Sequence, residues 1–157
     1  MKKLTLASML LLLLFIGSSC SSPQGLDEAY IIALEALLEN KDFEYDIDYI
    51  SLFFNDESIS NRDVEIIKRH FQKTYQKEIF TYTPDEVTHA GPYGKENLNM
   101  DGMFLYLLEI NERDGTMTFE TAKYHTVSGR GALGLEVVLH KVKQEWVLHE
   151  EEVLWRE

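Results

Sequence analysis

Residues 102–155 read GMFLYLLEINERDGTMTFETAKYHTVSGRGALGLEVVLHKVKQEWVLHEEEVLW, and this part of the chain indicates the architecture. Turn-forming sequences at Asn111–Gly115, where Asp-Gly supplies positive φ, at Ser128–Gly131 and near Lys143-Gln144 divide it into four segments. These segments are rich in Val, Thr and aromatic residues, which suit a pleated, half-buried surface. The pattern predicts four consecutive strands, over residues 103–110, 116–126, 132–141 and 145–155, joined as an antiparallel meander.

The two faces of this predicted sheet follow from unbroken alternation along each strand. The simplest registers of the three hairpins place Ile110 opposite Met117, His125 opposite Leu133 and Lys141 opposite Trp146, and Gly134 suggests a bulge. One face then collects the residues expected to form the core: Phe104, Tyr106, Leu108, Ile110, Met117, Phe119, Leu133, Leu135, Val137, Leu139, Trp146 and Leu148.

The opposite face of the sheet mixes charged and apolar residues, so it needs a cover, either a helix of this chain or a partner. We interpret its apolar members as a candidate interaction face, consisting of Leu105, Leu107, Tyr124, Val138, Val147 and Trp155.

Helices are predicted in the first half of the chain. Residues 26–40 carry a broad apolar arc that must be buried, with Gly25 or Asp27 as the N-cap. Ser60 begins a second helix, whose apolar face extends from Val64 to Tyr75. Thr83-Pro84-Asp85-Glu86 is a capping box with proline at the first helical position, which predicts a short third helix. The expected fold class is therefore α+β, with two main helices packed on the sheet.

Residues 43–54 leave two structures open. Aromatic and aliphatic residues alternate with acids from Asp42 to Tyr49, which predicts a fifth strand, but residues 43, 47, 50 and 54 also fit a helical period. A calcium loop is disfavoured, because Ile47 stands where an EF-hand needs glycine and Phe53 stands where it needs glutamate.

The N-terminus has the layout of an export signal. Lys2 and Lys3 precede an apolar run of about 13 residues, Leu4 to Ile16, and small residues lead to Cys20. That run is shorter than the roughly 20 residues that span a bilayer. The layout resembles a bacterial lipoprotein signal, although Gly17 stands where that family usually has a branched apolar residue.

The resemblance implies that residues 1–19 are removed and that Cys20 is acylated. Residues 20–26 would form the lipidated tether and residues 27–157 a single α+β domain, anchored to a bacterial membrane and facing the periplasm or the cell exterior. Cys20 is the only cysteine, so the exported domain is expected to have no disulfide and no thiol chemistry.

A second, more limited resemblance involves residues 122–124 and Ser128–Gly134, followed by a tryptophan-bearing hairpin. This pattern is similar to small uncharacterised bacterial lipoproteins that pair a helical first half with a terminal antiparallel sheet. It implies a fold and no activity.

The net charge and the sequence motifs argue against several classes of function. A formal net charge of −12 argues against nucleic-acid binding, which needs a basic surface. The glycines of residues 128–134 precede a strand, so they lack the helix N-terminus of a phosphate loop. His140 and His149 share the outer face in the predicted register, near Glu136 and Glu151, but no third nitrogen ligand for a metal is evident.

We therefore assign no catalytic, cofactor or metal residues from the sequence. The pattern favours a non-enzymatic, lipid-anchored binding or accessory protein of the cell envelope, with a protein or small-ligand partner. The alternatives are an envelope hydrolase that uses paired carboxylates and an inhibitor or immunity-type protein.

Overall fold

A computed structural model describes residues 25–41, 46–55, 59–82, 101–125 and 131–157. The predicted signal segment, Cys20 and the short helix predicted from Thr83 lie outside these residues. The described elements, in chain order, are α1 (Leu26–Glu39), β1 (Tyr49–Phe54), α2 (Asn61–Tyr75), β2 (Glu78–Tyr82), β3 (Gly102–Arg113), β4 (Thr116–His125), β5 (Ala132–Val142) and β6 (Glu145–Arg156).

The sheet is mixed and six-stranded, in the order β2-β1-β3-β4-β5-β6. The predicted antiparallel succession of β3 to β6 is present. However, the prediction of a purely antiparallel sheet with four or five strands is wrong, because β1 pairs in parallel with both β2 and β3. The α+β class holds.

The parallel part of the sheet arises from a β1-α2-β2 crossover. Parallel neighbours cannot be joined by a tight hairpin, and here the 15-residue helix α2 connects them. Its N-cap Ser60 accepts a hydrogen bond from the Asp63 backbone N–H at 3.2 Å. All six residues of β1 are buried, as expected of a parallel strand covered on both faces. Residues 49–54 are thus strand, and an interior one.

Both helices pack on the same face of the sheet, which we call the helix face. α1 contacts β3 to β6, whereas α2 contacts β2 and α1. α1 begins after Gly25, whose φ of 88° is a left-handed conformation that glycine adopts without strain. Asp27 lies in the first turn of the helix. The main core lies between these layers and includes Leu34, Phe71 and Phe119.

The strand registers decide which residues reach that core. Lys141 pairs with Trp146 as predicted, but Ile110 pairs with Phe119 and Lys123 with Leu133, two residues from the predicted positions. Asp114 and Gly115 form a two-residue turn with φ of 52° and 76°, which sets the first of these shifts.

A bulge between Leu107 and Glu109 interrupts β3. Because one extra residue reverses the alternation of side chains, Ile110 and Leu107 share the helix face. Phe104, Tyr106 and Leu108 therefore do not line the main core, contrary to the prediction. Further bulges lie in the β5–β6 pairing, where His149 and Leu154 are the extra residues; the second is opposite Gly134, where a bulge was predicted.

Candidate interaction face of the sheet

The face of the sheet opposite α1 and α2, here called the outer face, carries a continuous row of aromatic rings. Phe53 of β1 stacks on Tyr82 of β2 at 4.7 Å and on Tyr106 of β3 at 4.4 Å between ring centroids. Tyr106 contacts Tyr124 of β4 at 5.2 Å, and Tyr124 contacts Trp155 of β6 at 5.9 Å. The aromatic row comprises Tyr49, Phe53, Phe80, Tyr82, Phe104, Tyr106, Tyr124 and Trp155.

The aromatic row is buried at one end and open at the other. Tyr49 and Phe53 are only 1% and 2% exposed. Tyr124 is 37% exposed, and its neighbours Tyr106 and Trp155 are half-buried. We call these last three residues the open aromatic end.

Gly134 leaves the space that the indole of Trp155 occupies. Gly134 of β5 pairs directly with Trp155, and a Cβ atom at Gly134 would lie 2.3 Å from the indole Nε1. No side chain fits between the backbone and the ring at that distance. The ring lies over the strand because Gly134 leaves the space, and this orientation brings it against Tyr124.

The predicted interaction residues divide between the two faces. Tyr124 and Trp155 belong to the open aromatic end, and Val138 and Val147 pair with other outer-face positions. Leu105 and Leu107 do not belong to this surface: they are 0% and 1% exposed and lie in the main core. The bulge at Leu108 is the cause, since it reverses the alternation on which their assignment rested.

Four glutamates form a second row on the outer face. Glu109 pairs with Glu120, Glu120 pairs with Glu136, and Glu136 pairs with Glu152. Direct partners in antiparallel strands have Cα atoms about 4.5–5.5 Å apart. This glutamate row therefore crosses β3, β4, β5 and β6 in a line, and three of its members are exposed while Glu136 is half-buried.

The glutamate row is not evident from the sequence. Each glutamate is ordinary in its own strand, and only the registers of three hairpins bring the four together. The predicted registers of the first two hairpins were wrong by two residues, and the bulges at Leu108 and His149 were not predicted. The Asp114-Gly115 dipeptide could have indicated the correct register of the first hairpin, because a two-residue turn there sets Arg113 opposite Thr116.

His140 and His149, predicted to lie diagonally across the last hairpin on the outer face, are neighbours in the structure, although His140 pairs with Val147 and His149 is a bulge residue. Their rings stack with centroids 4.0 Å apart and planes 16° apart. Glu151 is not a neighbour on that face, because it pairs with the core residue Val137. Among the described residues, no group of three or more His, Cys, Asp or Glu side chains is arranged to hold a metal ion.

The helix face contains a buried cation. Lys123 is 0% exposed and lies in β4 between Leu105 and Leu133. Its Nζ donates to the backbone oxygen of Asn40 at 2.6 Å, at the C-terminus of α1. A positive charge there is favoured by the helix dipole, so the contact ties α1 to the sheet.

Polar contacts also join the two helices. His70 Nε2 lies 2.7 Å from a carboxylate oxygen of Glu35, and the Tyr75 hydroxyl donates to Glu39 at 3.2 Å. Burial raises the pKa of the Tyr75 phenol, and the carboxylates of Glu35 and Glu39 raise it further.

The pKa of Tyr124 is raised at the open aromatic end. Burial raises the pKa of Tyr124 above its ordinary value of 10.0, and the carboxylate of Glu157 adds to the effect. The Tyr124 hydroxyl can donate a hydrogen bond beside an apolar ring surface, a combination that suits contact with a partner.

Comparison with models of protein families, with curated proteins and with solved structures gave no match. Within the described residues, neither helix is long and apolar enough to cross a membrane.

Proposed function

We propose that this chain is a lipid-anchored, extracytoplasmic, non-enzymatic binding or accessory protein of the bacterial cell envelope, and that the outer face of its sheet receives the partner. The anchor rests on the signal layout of residues 2–20, with Cys20 as the acylated residue. Two or more acyl chains on that cysteine give a stable tether, whereas one gives only marginal binding.

The observation that carries the binding role is the open aromatic end. Tyr and Trp are enriched where proteins meet partners, because they offer a large rigid surface together with a polar group. Here Tyr124 and Trp155 contact each other and are partly exposed, on a face of the sheet that neither α1 nor α2 contacts. Val147 is also exposed on this face, but Glu152 and Glu150 separate it from Trp155 along β6.

The binding role is tested by photo-crosslinking in cells that produce the full chain. Tyr124→p-benzoylphenylalanine places the reactive group at the open aromatic end. Arg69→p-benzoylphenylalanine is the matched control, because Arg69 is exposed on α2. We expect a discrete adduct, identified by mass spectrometry, at position 124 and none at position 69. The same adduct pattern at both positions, or no adduct at position 124, would overturn the proposal.

The anchor is tested separately with a labelled fatty acid. The wild-type chain and Ser21→Ala should incorporate the label into the membrane fraction, and Cys20→Ser should incorporate none. Label retained by Cys20→Ser would remove the anchor from the proposal and leave the binding role to be judged by the crosslink alone.

A further inference from the structure

The chemistry of the partner follows from the glutamate row. Resting on the proposed function, we propose that the outer face binds a protein segment bearing lysine or arginine side chains. Their cationic groups lie on the glutamate row, and their apolar stems or neighbouring residues lie on the open aromatic end.

The two features adjoin on the same face. Gly134, which lies under the Trp155 indole, and Glu136 of the glutamate row are successive outer positions along β5. Two residues of a strand advance about 6.6–6.8 Å. One extended lysine or arginine side chain spans that distance, so a single residue can contact an aromatic ring with its stem and a carboxylate with its charge.

The glutamate row is unfavourable for the isolated chain. Like charges directly opposite each other on neighbouring strands are destabilising, and here the same charge occurs at four positions in a line. Sequences usually avoid such conflicts except at functional sites. A cationic partner removes the repulsion and converts each of the four positions into an attraction.

Cations of this chain do not neutralise the row within the described residues. The ion pairs there join Glu35 with His70, Asp46 with Lys77, and Arg113 with Asp114. Three strand cations point away: Lys123, Lys141 and Arg156 pair with Leu133, Trp146 and Leu133 respectively, all residues of the helix-face core. Arg113 shares the outer face with Glu109, but its ion pair is with Asp114 at 3.4 Å. The acidic surface is therefore available to an external cation, and the formal net charge of −12 attracts one over a distance.

The test uses the full-length protein in detergent and two defined probes, fluorescein-labelled hexalysine and hexaarginine peptides, with binding followed by fluorescence anisotropy at low salt. The charge-removing variant is E109Q/E120Q/E136Q/E152Q. The control variant, E28Q/E65Q/E112Q/E151Q, also removes four negative charges, but from exposed positions outside the row. Glutamine keeps the shape of the side chain and relieves repulsion, so the row variant is expected to fold.

We expect the wild-type protein to bind at least one probe. The row variant should bind about tenfold more weakly or worse, because paired charges at an interface are worth far more than distant ones. The control should change Kd by less than about twofold. Trp155→Ala should weaken binding about two- to fivefold through the lost cation–π and stem contacts.

Equal losses in the row and control variants would show that bulk charge alone attracts the probes, and would overturn the inference, as would a wild-type protein that binds neither peptide. An adduct at position 124 together with failure of the peptides would leave the outer face as the binding surface and reject only its cationic specificity. Loss of both would reject the proposed function as well.

Discussion

Gly134 is the residue on which the open aromatic end depends. Gly134 pairs with Trp155, and the indole lies so close to the strand that a Cβ atom at residue 134 would be 2.3 Å from its Nε1. We predict that Gly134→Ala displaces the indole from the strand and from Tyr124. The cost in the free energy of unfolding should be about 1–2 kcal/mol, since the ring is near the surface and can swing outward.

Tryptophan fluorescence measures this displacement. The other tryptophan, Trp146, is buried on the helix face, so its emission is a constant background. Gly134→Ala should shift the emission of Trp155 to longer wavelength, and the difference from Trp155→Phe isolates that contribution. An unchanged spectrum would mean that the indole does not occupy the space over Gly134.

Lys123 presents a different problem at the residue scale, because it is a cation with no exposed surface. Removing one partner of a buried polar contact leaves the other unsatisfied. Lys123→Ala should therefore lower the free energy of unfolding by about 3 kcal/mol, from the cavity and from the lost bond to the Asn40 oxygen. Lys123→Met fills the space and should cost about 1–2 kcal/mol.

Urea unfolding gives both values, with Lys73→Ala as the control because Lys73 is exposed on α2. The control should stay within about 0.5 kcal/mol of the wild type. If Lys123→Ala were no worse than Lys73→Ala, the side chain would not be the buried connection between α1 and the sheet.

At the scale of elements, α1 and α2 are joined by contacts that respond to alkaline pH. The pKa of Tyr75 is raised by burial and then by Glu35 and Glu39, from an ordinary value of 10.0. The unfolded chain therefore loses this proton at a lower pH than the native state does. The contribution to stability is complete below pH 10 and declines as the pH rises from there toward the higher native pKa.

We predict that the melting temperature falls between pH 9 and pH 11 and that Tyr75→Phe reduces this fall, although it loses a hydrogen bond at neutral pH. Glu39→Gln keeps the phenol but removes one of the two carboxylates that raise its pKa. Its alkaline fall should lie between those of Tyr75→Phe and the wild type. Identical slopes for all three proteins would contradict the assignment.

The elements differ in how far the sequence predicts them. The helices follow from apolar periodicity and from the Ser60 cap, and the strands β3 to β6 follow from turn residues such as Asp114 and Gly115. These signals are local. β2 was not predicted, although residues 78–82, EIFTY, have β-forming composition. The sequence of β1, YISLFF, is apolar except for Ser51, and such a strand followed by a helix is typical of a parallel crossover.

The candidate site was predicted less completely, for a physical reason. Tyr124, Val138, Val147 and Trp155 were placed on the outer face, but a bulge of one residue at Leu108 moved Leu105 and Leu107 into the core. A bulge depends on how two strands pair over their whole length, and the local sequence of β3 does not show it. The glutamate row also depends on how the strands pair over their whole length, so the local sequence does not show it.

On the scale of the whole molecule, an acidic chain concentrates part of its charge in one line. Glu136 is the most constrained member of the glutamate row, since it pairs with Glu120 on one side and Glu152 on the other. Glu109, at the end of the row, pairs with one glutamate only. Repulsion between these groups acts through water at the surface and is therefore screened by salt.

We predict that Glu136→Gln raises the free energy of unfolding by about 0.5–1 kcal/mol at low ionic strength, because it removes the repulsion of Glu136 with both Glu120 and Glu152. Glu109→Gln should raise it by about half as much. In about 1 M salt, where the screening length is near 3 Å, both gains should largely disappear. Urea unfolding at the two ionic strengths measures this, with Glu65→Gln on α2 as the control for net charge. A gain at Glu136 that equals the gain at Glu65, or that persists in high salt, would mean that the four glutamates do not repel one another across the strands. The cost that a cationic partner is proposed to relieve would then be absent.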